Sequence, residues 1–363
     1  MIQYLRDESR KNSNIYIFGC GKTGTRIFKM LVMSGIIIRG FFDNAYSEGI
    51  FLKDKNVLPL HYLEHCDKKH TYIVVASWAV REINDQLRKS GIIHIINLKD
   101  LAIKYHSDFP LINFNTSVEP QVSILVTAYN EWRYSYNCME SLAEHKIAIP
   151  YEIIFGEDAS SDLSKEAEKY FNGVQVIHNQ KTMNYLANVN NIAKFAKGEF
   201  IVLLANDTVV IQDYWIDKMV EIMNRDKSIG MISGKYWVPM DGEYDYAFNY
   251  GDNWEELRLN EKDGMQSVEF VKPIASMIRK SVWDKIGGFS DEFLPAYRED
   301  NDLCMKIISS GFKCIYTPDI ETIHFAGTSY GKRKDCQELL RRNFEVFTEK
   351  WKLYKQDRMI KSM

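Results

Sequence analysis

Cysteine is sparse and unpatterned in this sequence. Cys20, Cys66, Cys138, Cys304, Cys314 and Cys336 are scattered, with no C-x-x-C pair. That argues against a disulfide framework and a zinc site, and points to buried thiols in a reducing cytoplasm. No apolar run reaches the roughly 18 residues of a membrane span. The opening Met1-Ile-Gln-Tyr-Leu-Arg-Asp-Glu8 lacks the charge order and apolar core of a secretion signal. A net charge of -3 gives no basis for binding nucleic acid or an acidic surface. Internal repeats and low-complexity tracts are absent as well. What is present is an ordinary globular composition, 45% apolar and 26% charged, over 363 residues. That length suits two domains.

The stretch Phe200-Ile-Val-Leu-Leu-Ala-Asn-Asp-Thr208 stands out. Five apolar residues run straight into a polar cluster, the pattern of a strand buried on both faces. Chemistry in an open α/β sheet sits beyond the carboxyl ends of such strands, which places Asp207 at a ligand face. Taken alone, Asn206-Asp207-Thr208 equally suits a cap for a following helix.

The first third reads as alternating strands and helices. Ile15–Phe18 is a strand, Gly19-Cys-Gly-Lys-Thr-Gly24 follows, and Arg26–Met33 is helical. This is G-x-G-x-x-G in its proper context. A second strand, Ile36–Phe42, ends at Asp43, about 20 residues after the glycines, where a ribose hydroxyl would be bound. A helix near Leu60–Cys66, a strand at Tyr72–Ala76, a helix at Val80–Lys89 and a strand at Ile92–Asn97 complete a parallel, Rossmann-like sheet. Gly19, Gly21, Gly24 and Asp43 are thus a candidate nucleotide site, with turn geometry and helix packing as their purely structural alternative. The segment resembles small nucleotide-binding-type domains appended to bacterial polysaccharide-biosynthesis enzymes.

Pro110, Pro120 and a polar Asn113–Ser117 run mark a boundary between His106 and Gln121. The alternation then restarts. Strands are expected at Val122–Thr127, Tyr151–Phe155, Val174–His178 and Phe200–Leu204. Helices are expected at Tyr134–Glu144 and Asn184–Ala196, with Ser161 or Asp162 capping another between them. The fold class is therefore α/β, with two Rossmann-like parallel-sheet domains.

Six motifs occur in order: V-S-I-L-V-T-A-Y-N-E from Val122, E-D-A-S-S-D from Glu157, and A-K-G-E-F-I-V-L-L-A-N-D-T from Ala196. G-G-F-S-D-E-F from Gly287, R-E-D-N-D-L from Arg298 and H-F-A-G-T-S from His324 follow. Residues 121–330 thereby resemble a family 2 glycosyltransferase of the GT-A fold. The organisation expected is a Rossmann-like small domain at 1–110, a linker at 111–120, a GT-A domain at 121–334 and a helical tail at 335–363.

That resemblance implies an inverting transfer of a sugar from a nucleotide diphosphate sugar to an acceptor hydroxyl. The acceptor would be a glycan, or a lipid-linked or protein-linked group, in bacterial-type surface polysaccharide or glycan assembly. Asp207 matches the last position of the family's D-x-D element, with Ala205 and Asn206 in place of the first two. His324 resembles the histidine that completes the metal or diphosphate site, so Mn²⁺ or Mg²⁺ is the expected cofactor. Asp300 is implied as the catalytic base, with Glu299 as fallback or sugar contact, and Asp302 as a cap or structural residue. Acidic residues at a helix start also stabilise it without any catalytic role. Thr127, Ala128 and Tyr129 would line the base pocket, and Glu131 would lie near the ribose. Asp158 would accept from a pyrimidine N3–H, favouring a UDP- or dTDP-sugar. The Asn190 segment would face ribose and diphosphate, although Asn184 stands where the family has glycine.

Between the catalytic motifs, Trp237, Tyr244, Tyr246, Tyr250 and Trp254 suit either an acceptor cleft or plain core. The tail residues Leu340, Phe344, Phe347, Trp351 and Tyr354 have helical spacing. They predict a helix packed on its own domain or on a second subunit of a homo-oligomer. The competing use of its basic residues is peripheral contact with the inner face of a membrane. Other classes are a non-catalytic sugar-nucleotide scaffold, which Ala205 favours, and an NAD-dependent sugar-modifying enzyme built on Gly19–Gly24. A sugar nucleotidyltransferase would need a glycine- and arginine-rich loop, which Ala128-Tyr-Asn-Glu131 is not.

Overall fold

The computed structural model describes residues 2–45, 50–77, 80–97, 108–238, 243–259, 264–325 and 335–362. The chain divides into two units, the first ending at Ser107 and the second beginning at Asp108. His106 and Ser107, part of the expected boundary, lie outside the described residues.

In the first unit, β1 (Asn14–Phe18), β2 (Ile38–Phe42), β3 (Ile50–Leu52), β4 (Lys55–Leu58), β5 (Thr71–Val75) and β6 (His94–Asn97) form one sheet. Their order is β3-β4-β2-β1-β5-β6, and every pairing is parallel except the β3–β4 hairpin. Helices Lys22–Met33 and Val80–Lys89 follow β1 and β5. The stretch Leu60–His65, expected as an α-helix, is a short 3₁₀ helix behind Pro59. Ile15, Ile17, Phe41, Phe42, Ile73 and Val75 are buried, as strands covered on both faces require.

The glycine loop is built for close approach. A side chain on Gly24 would put Cβ 1.9 Å from the Gly19 carbonyl oxygen. Gly19 itself has a φ of +110°, and a Cβ there would lie 2.6 Å from the Ala76 oxygen. Gly21 differs, because nothing lies within 4 Å of its Cβ position and its φ is -69°.

In the second unit, β7 (Ile112–Asn113), inside the expected linker, pairs in parallel with β10 (Phe171–Asn172). The main sheet uses β8 (Val122–Ala128), β9 (Tyr151–Glu157), β11 (Gln175–His178), β12 (Phe200–Ala205), β13 (Thr208–Val210), β14 (Ile229–Val238), β20 (Ala275–Arg279) and β21 (Lys313–His324). Its order is β11-β9-β8-β12-β20-β14-β21-β13. Pairing is parallel from β11 to β12, antiparallel to β20 and then to β14, parallel to β21, and antiparallel at the β13 edge. Two short strands extend it, β15 (Glu243–Asp245) on β14 and β18 (Gln266–Val268) on β21. A separate small sheet joins β16 (Ala247–Tyr250) to β17 (Glu256–Arg258) and β19 (Phe270–Val271).

Alternation explains the apolar run at β12. Phe200, Val202 and Leu204 enter the core beneath helices Trp132–Glu144 and Trp215–Arg225. Ile201 and Leu203 enter the opposite core, beneath helices Tyr185–Ala193, Lys280–Ile286 and Glu299–Ser309. Each such burial contributes about 1.5–3 kcal/mol. The ends of the central strands are level, since Ala205 pairs with Thr127 and Ala128 with Glu157.

Three points that the sequence left open are decided by the structure, each for a physical reason. Asn206-Asp207-Thr208 does not cap a helix. Asn206 and Asp207 form a turn, and Thr208 opens β13, whose ladder to β21 satisfies the backbone instead. The helix that carries the R-E-D-N-D-L motif begins at Glu299, after Arg298 in the left-handed region, so Glu299, Asp300 and Asp302 occupy its first turn. There the amide dipoles favour negative charge. Finally, Tyr250 and Trp254 are core rather than cleft, packing on Phe347 of the tail helix Cys336–Ser362.

That tail helix buries Phe347 and Trp351 in the second unit. Arg341, Lys350 and Lys352 pair with Glu345, Glu292 and Glu349, which leaves these cations no free basic face. Among the described residues no helix is long and apolar enough to cross a membrane.

Two glycine substitutions separate packing from ligand use. Gly24→Ala forces backbone atoms apart and is expected to destabilise the first unit by at least about 3 kcal/mol in chemical denaturation. Gly21→Ala is expected to leave its midpoint within about 0.5 kcal/mol of wild type.

Candidate functional site

The loops leaving β8 and β9 are tied to each other. Asn130 donates its backbone N–H to Ser160 Oγ at 2.9 Å, and its Oδ1 accepts from the Ser161 N–H at 2.8 Å. Asp162 accepts from the N–H of Trp132 (2.8 Å) and of Ser164 (3.0 Å), so one carboxylate caps both following helices. Thr127 and Ala128 end β8 and are buried, whereas Tyr129 is exposed. Glu131, in the left-handed region, opens helix Trp132–Glu144.

Asp158 is buried at the end of β9. Its Oδ1 accepts from Asn179 Nδ2 (2.9 Å) and the Met183 N–H (2.8 Å), and its Oδ2 accepts from the Asn184 N–H (3.0 Å). Asn184 has φ 69° and ψ 167°, a conformation that ordinarily needs glycine. Holding it there costs about 1–3 kcal/mol, and the Asp158 grip on its N–H is a direct restraint. Asn190 is committed elsewhere. Its amide pairs both ways with the Phe289 backbone at 2.9 Å, fixing the Gly288–Phe289 turn.

At the end of β12 the chain reverses into β13. Asn206 Nδ2 donates to Ser135 Oγ at 2.8 Å. The β13–β21 ladder sets Thr208 opposite His324, and the Phe325 N–H donates to the Asp207 carbonyl at 3.0 Å. Consequently His324 Nε2 lies 3.1 Å from Asp207 Oδ1. The imidazole packs edge-on to the Tyr236 ring at 5.6 Å, and its Nδ1 is buried without a hydrogen-bond partner. Nε2 and the Asp207 carboxylate are thus a nitrogen and an oxygen side by side, a pair that suits a divalent cation taking mixed ligands. No group of three or more His, Cys, Asp or Glu side chains able to hold a metal occurs among the described residues. Ala326–Ser329, the rest of the histidine motif, lies outside them.

Glu299 and Asp300 begin helix Glu299–Ser309. Burial pushes the Glu299 carboxyl up to about 8, and the neighbouring Asp300 charge adds to the rise. Burial also raises Asp300, but Lys272, the Asn301 N–H and Arg298 pull it back. Glu299 Oε2 is buried without a hydrogen-bond partner. The Tyr185 hydroxyl donates to the Pro273 carbonyl at 3.4 Å, and it is raised first by burial and then by the charges of Glu299, Asp300 and Asp207. Sequence reasoning missed Tyr185 and Lys272, which belong to no motif. Asp302 is buried and accepts from Ser290 Oγ (2.6 Å) and Trp351 Nε1 (2.9 Å), a structural anchor.

In the first unit, Asp43 folds back on its own loop. Its Oδ2 accepts from the Cys20 N–H at 2.8 Å and its Oδ1 from the Ala45 N–H at 2.9 Å. Burial and Asp43 push the Cys20 thiol up to about 12, which keeps it protonated.

Comparison with known proteins adds a lineage. The glycosyl transferase family 2 model matches residues 123–287. The uncharacterised protein y4gI of Sinorhizobium fredii is 23% identical over 255 residues, 65% of this chain and 28% of that one. Glycosyltransferase GlyG of Streptococcus pneumoniae is 26% identical over 181 residues, 46% of this chain and 58% of that one. The chain thus spans less than two thirds of the length of these relatives. Among solved structures, GalNAc-T7 with UDP, GalNAc and Mn²⁺ is similar, with a TM-score of 0.50 at 16% identity, covering 64% of this chain and 48% of that one. That likeness speaks for the fold, which is GT-A. Residues 123–287 of this chain therefore belong to glycosyl transferase family 2.

Proposed function

We propose that the protein transfers a sugar, with inversion, from a UDP- or dTDP-sugar to an acceptor hydroxyl in cell-surface polysaccharide or glycan assembly. One observation carries this proposal: within a family 2 unit, Asp207 beyond the end of β12 stands 3.1 Å from His324 of β21.

The acidic pair divides the work. Two adjacent carboxyls in a poorly solvated site do not both ionise readily, so one proton stays with the pair. Glu299, pushed higher, keeps it, and Asp300 is the ionised partner. Environments that separate two such groups assign acid and base roles. Asp300 takes the acceptor hydroxyl proton, and neutral Glu299 offers a hydrogen bond to a sugar. Lys272 holds positive charge beside both.

Donor recognition falls to the strand-end loops. A carboxylate has about four acceptor positions, and Asp158 uses three on its own chain. The remaining one suits the N3–H of uracil or thymine, and neutral cytosine lacks that proton. Thr127, Ala128 and Tyr129 would line the base pocket around it, and Glu131 would lie near the ribose. Asp207 and His324, with Asn206 beside them, would hold Mn²⁺ or Mg²⁺ together with donor oxygens. Such an ion neutralises charge on the leaving diphosphate. A donor-binding scaffold is the second reading, favoured by Ala205 in place of a carboxylate.

Nucleotide diphosphate release from a panel of UDP- and dTDP-sugars tests this proposal. Release is expected from one donor, with Asp300→Asn reduced by about 10²–10⁴-fold while donor binding by calorimetry holds. Binding without release by wild type, across a range of acceptors, would leave the scaffold.

Glu299 also makes stability pH-dependent. Between its ordinary 4.5 and about 8, the folded carboxyl keeps a proton that the unfolded chain has released. Stability therefore falls as pH rises through that window. Glu299→Gln is expected to match wild type near pH 4 and exceed it by more than about 1 kcal/mol at pH 8, read from denaturant melts. A difference independent of pH would contradict this account.

A further inference from the structure

The helix Cys336–Ser362 grips the chain on both sides of the acidic pair. Asn343 is completely buried, and its Nδ2 donates to the carbonyls of Phe293 (3.1 Å), Ala296 (2.7 Å) and Tyr297 (2.9 Å). Its Oδ1 accepts from Arg342 Nε at 2.8 Å, so the whole amide is engaged. Arg342 also donates to the Leu294 carbonyl at 2.6 Å. The Arg298 guanidinium lies 5.0 Å over the Phe344 ring, and the Tyr297 hydroxyl meets Cys336 Sγ at 2.9 Å. On the far side of the pair, Asp302 is bound by Trp351 Nε1 and by Lys350, both at 2.9 Å.

A helix that only covered apolar surface would place a leucine at position 343, because burying an amide is unfavourable unless it is fully hydrogen-bonded. The segment it holds needs external support. Tyr297 and Arg298 are consecutive non-glycine residues at φ 77° and 70°. Such backbone persists only where the surroundings over-determine it. Glu299 and Asp300 come next, and their position follows from where that segment sits.

We propose that the C-terminal helix is a brace that positions the Glu299–Asp300 pair, with Asn343 as its positioning residue. The proposal rests on the assignment of Asp300 as the base.

The test uses the full chain and Asn343→Leu, which keeps the volume and removes the donors. In hydrogen–deuterium exchange, peptides spanning 294–302 are expected to exchange at least about tenfold faster, with the central strands unchanged. With the donor found in the release assay, kcat is expected to fall on the order of 100-fold, while donor KM stays within about twofold. In an Asp300→Asn background, Asn343→Leu is expected to cost nothing further, since groups acting as one unit are non-additive. If Asn343→Leu does not fold, Arg342→Ala at the helix surface carries the same readouts. Unchanged exchange at 294–302, or wild-type kcat in a folded variant, overturns the brace. Wild-type turnover by Asp300→Asn would instead remove the base assignment, and the exchange result would still decide the brace.

Discussion

A strand buried on both faces can offer chemistry only at its ends. In the second unit, β8, β9 and β12 are such strands, with nearly every side chain committed to one core or the other. Their polar groups collect in the loops beyond Ala128, Glu157 and Ala205, and the ladders hold those ends level. Everything proposed for the site follows from this constraint. Apolar burial fixes where the backbone stops being strand, and carboxylates then organise what lies beyond it.

Those carboxylates do different jobs in similar surroundings. Asp162 caps helices, Asp158 restrains the loop through Asn184, and Asp302 anchors the tail helix. All three bond to groups of the chain itself. Glu299 differs. Its Oε2 is buried without a hydrogen-bond partner, as is Nδ1 of His324, the imidazole beside Asp207. Buried acceptors left open are unfavourable for folding alone, which is what recommends these two groups for the site proposed above.

The parts of this arrangement written in short-range pattern were legible in the sequence. The apolar run into Asn206-Asp207, the glycine turn after β1 and the acidic start at Arg298 are local signals, and the motif order pointed to the family. Non-local parts were not legible. Pairing of β13 with β21 joins segments far apart in the chain, and without it Asn206-Asp207-Thr208 looks like a helix cap. Asn184 was visible as a departure from glycine, but the Asp158 restraint that permits it was not. Helical spacing revealed the tail, whereas a buried asparagine has no periodic signature, so Asn343 passed unnoticed. Tyr185 and Lys272 belong to no motif and gain meaning only from the charges packed around them.

The account stands or falls on whether the strand ends form one donor site around Asp207. Calorimetric titration of UDP and dTDP with Mn²⁺ into wild type, Asp207→Asn and His324→Ala tests this most directly. The expected result is nucleotide binding by wild type that weakens at least about tenfold in either variant and on chelation of the metal. Equal affinity in Asp207→Asn and wild type, with or without Mn²⁺, would contradict it.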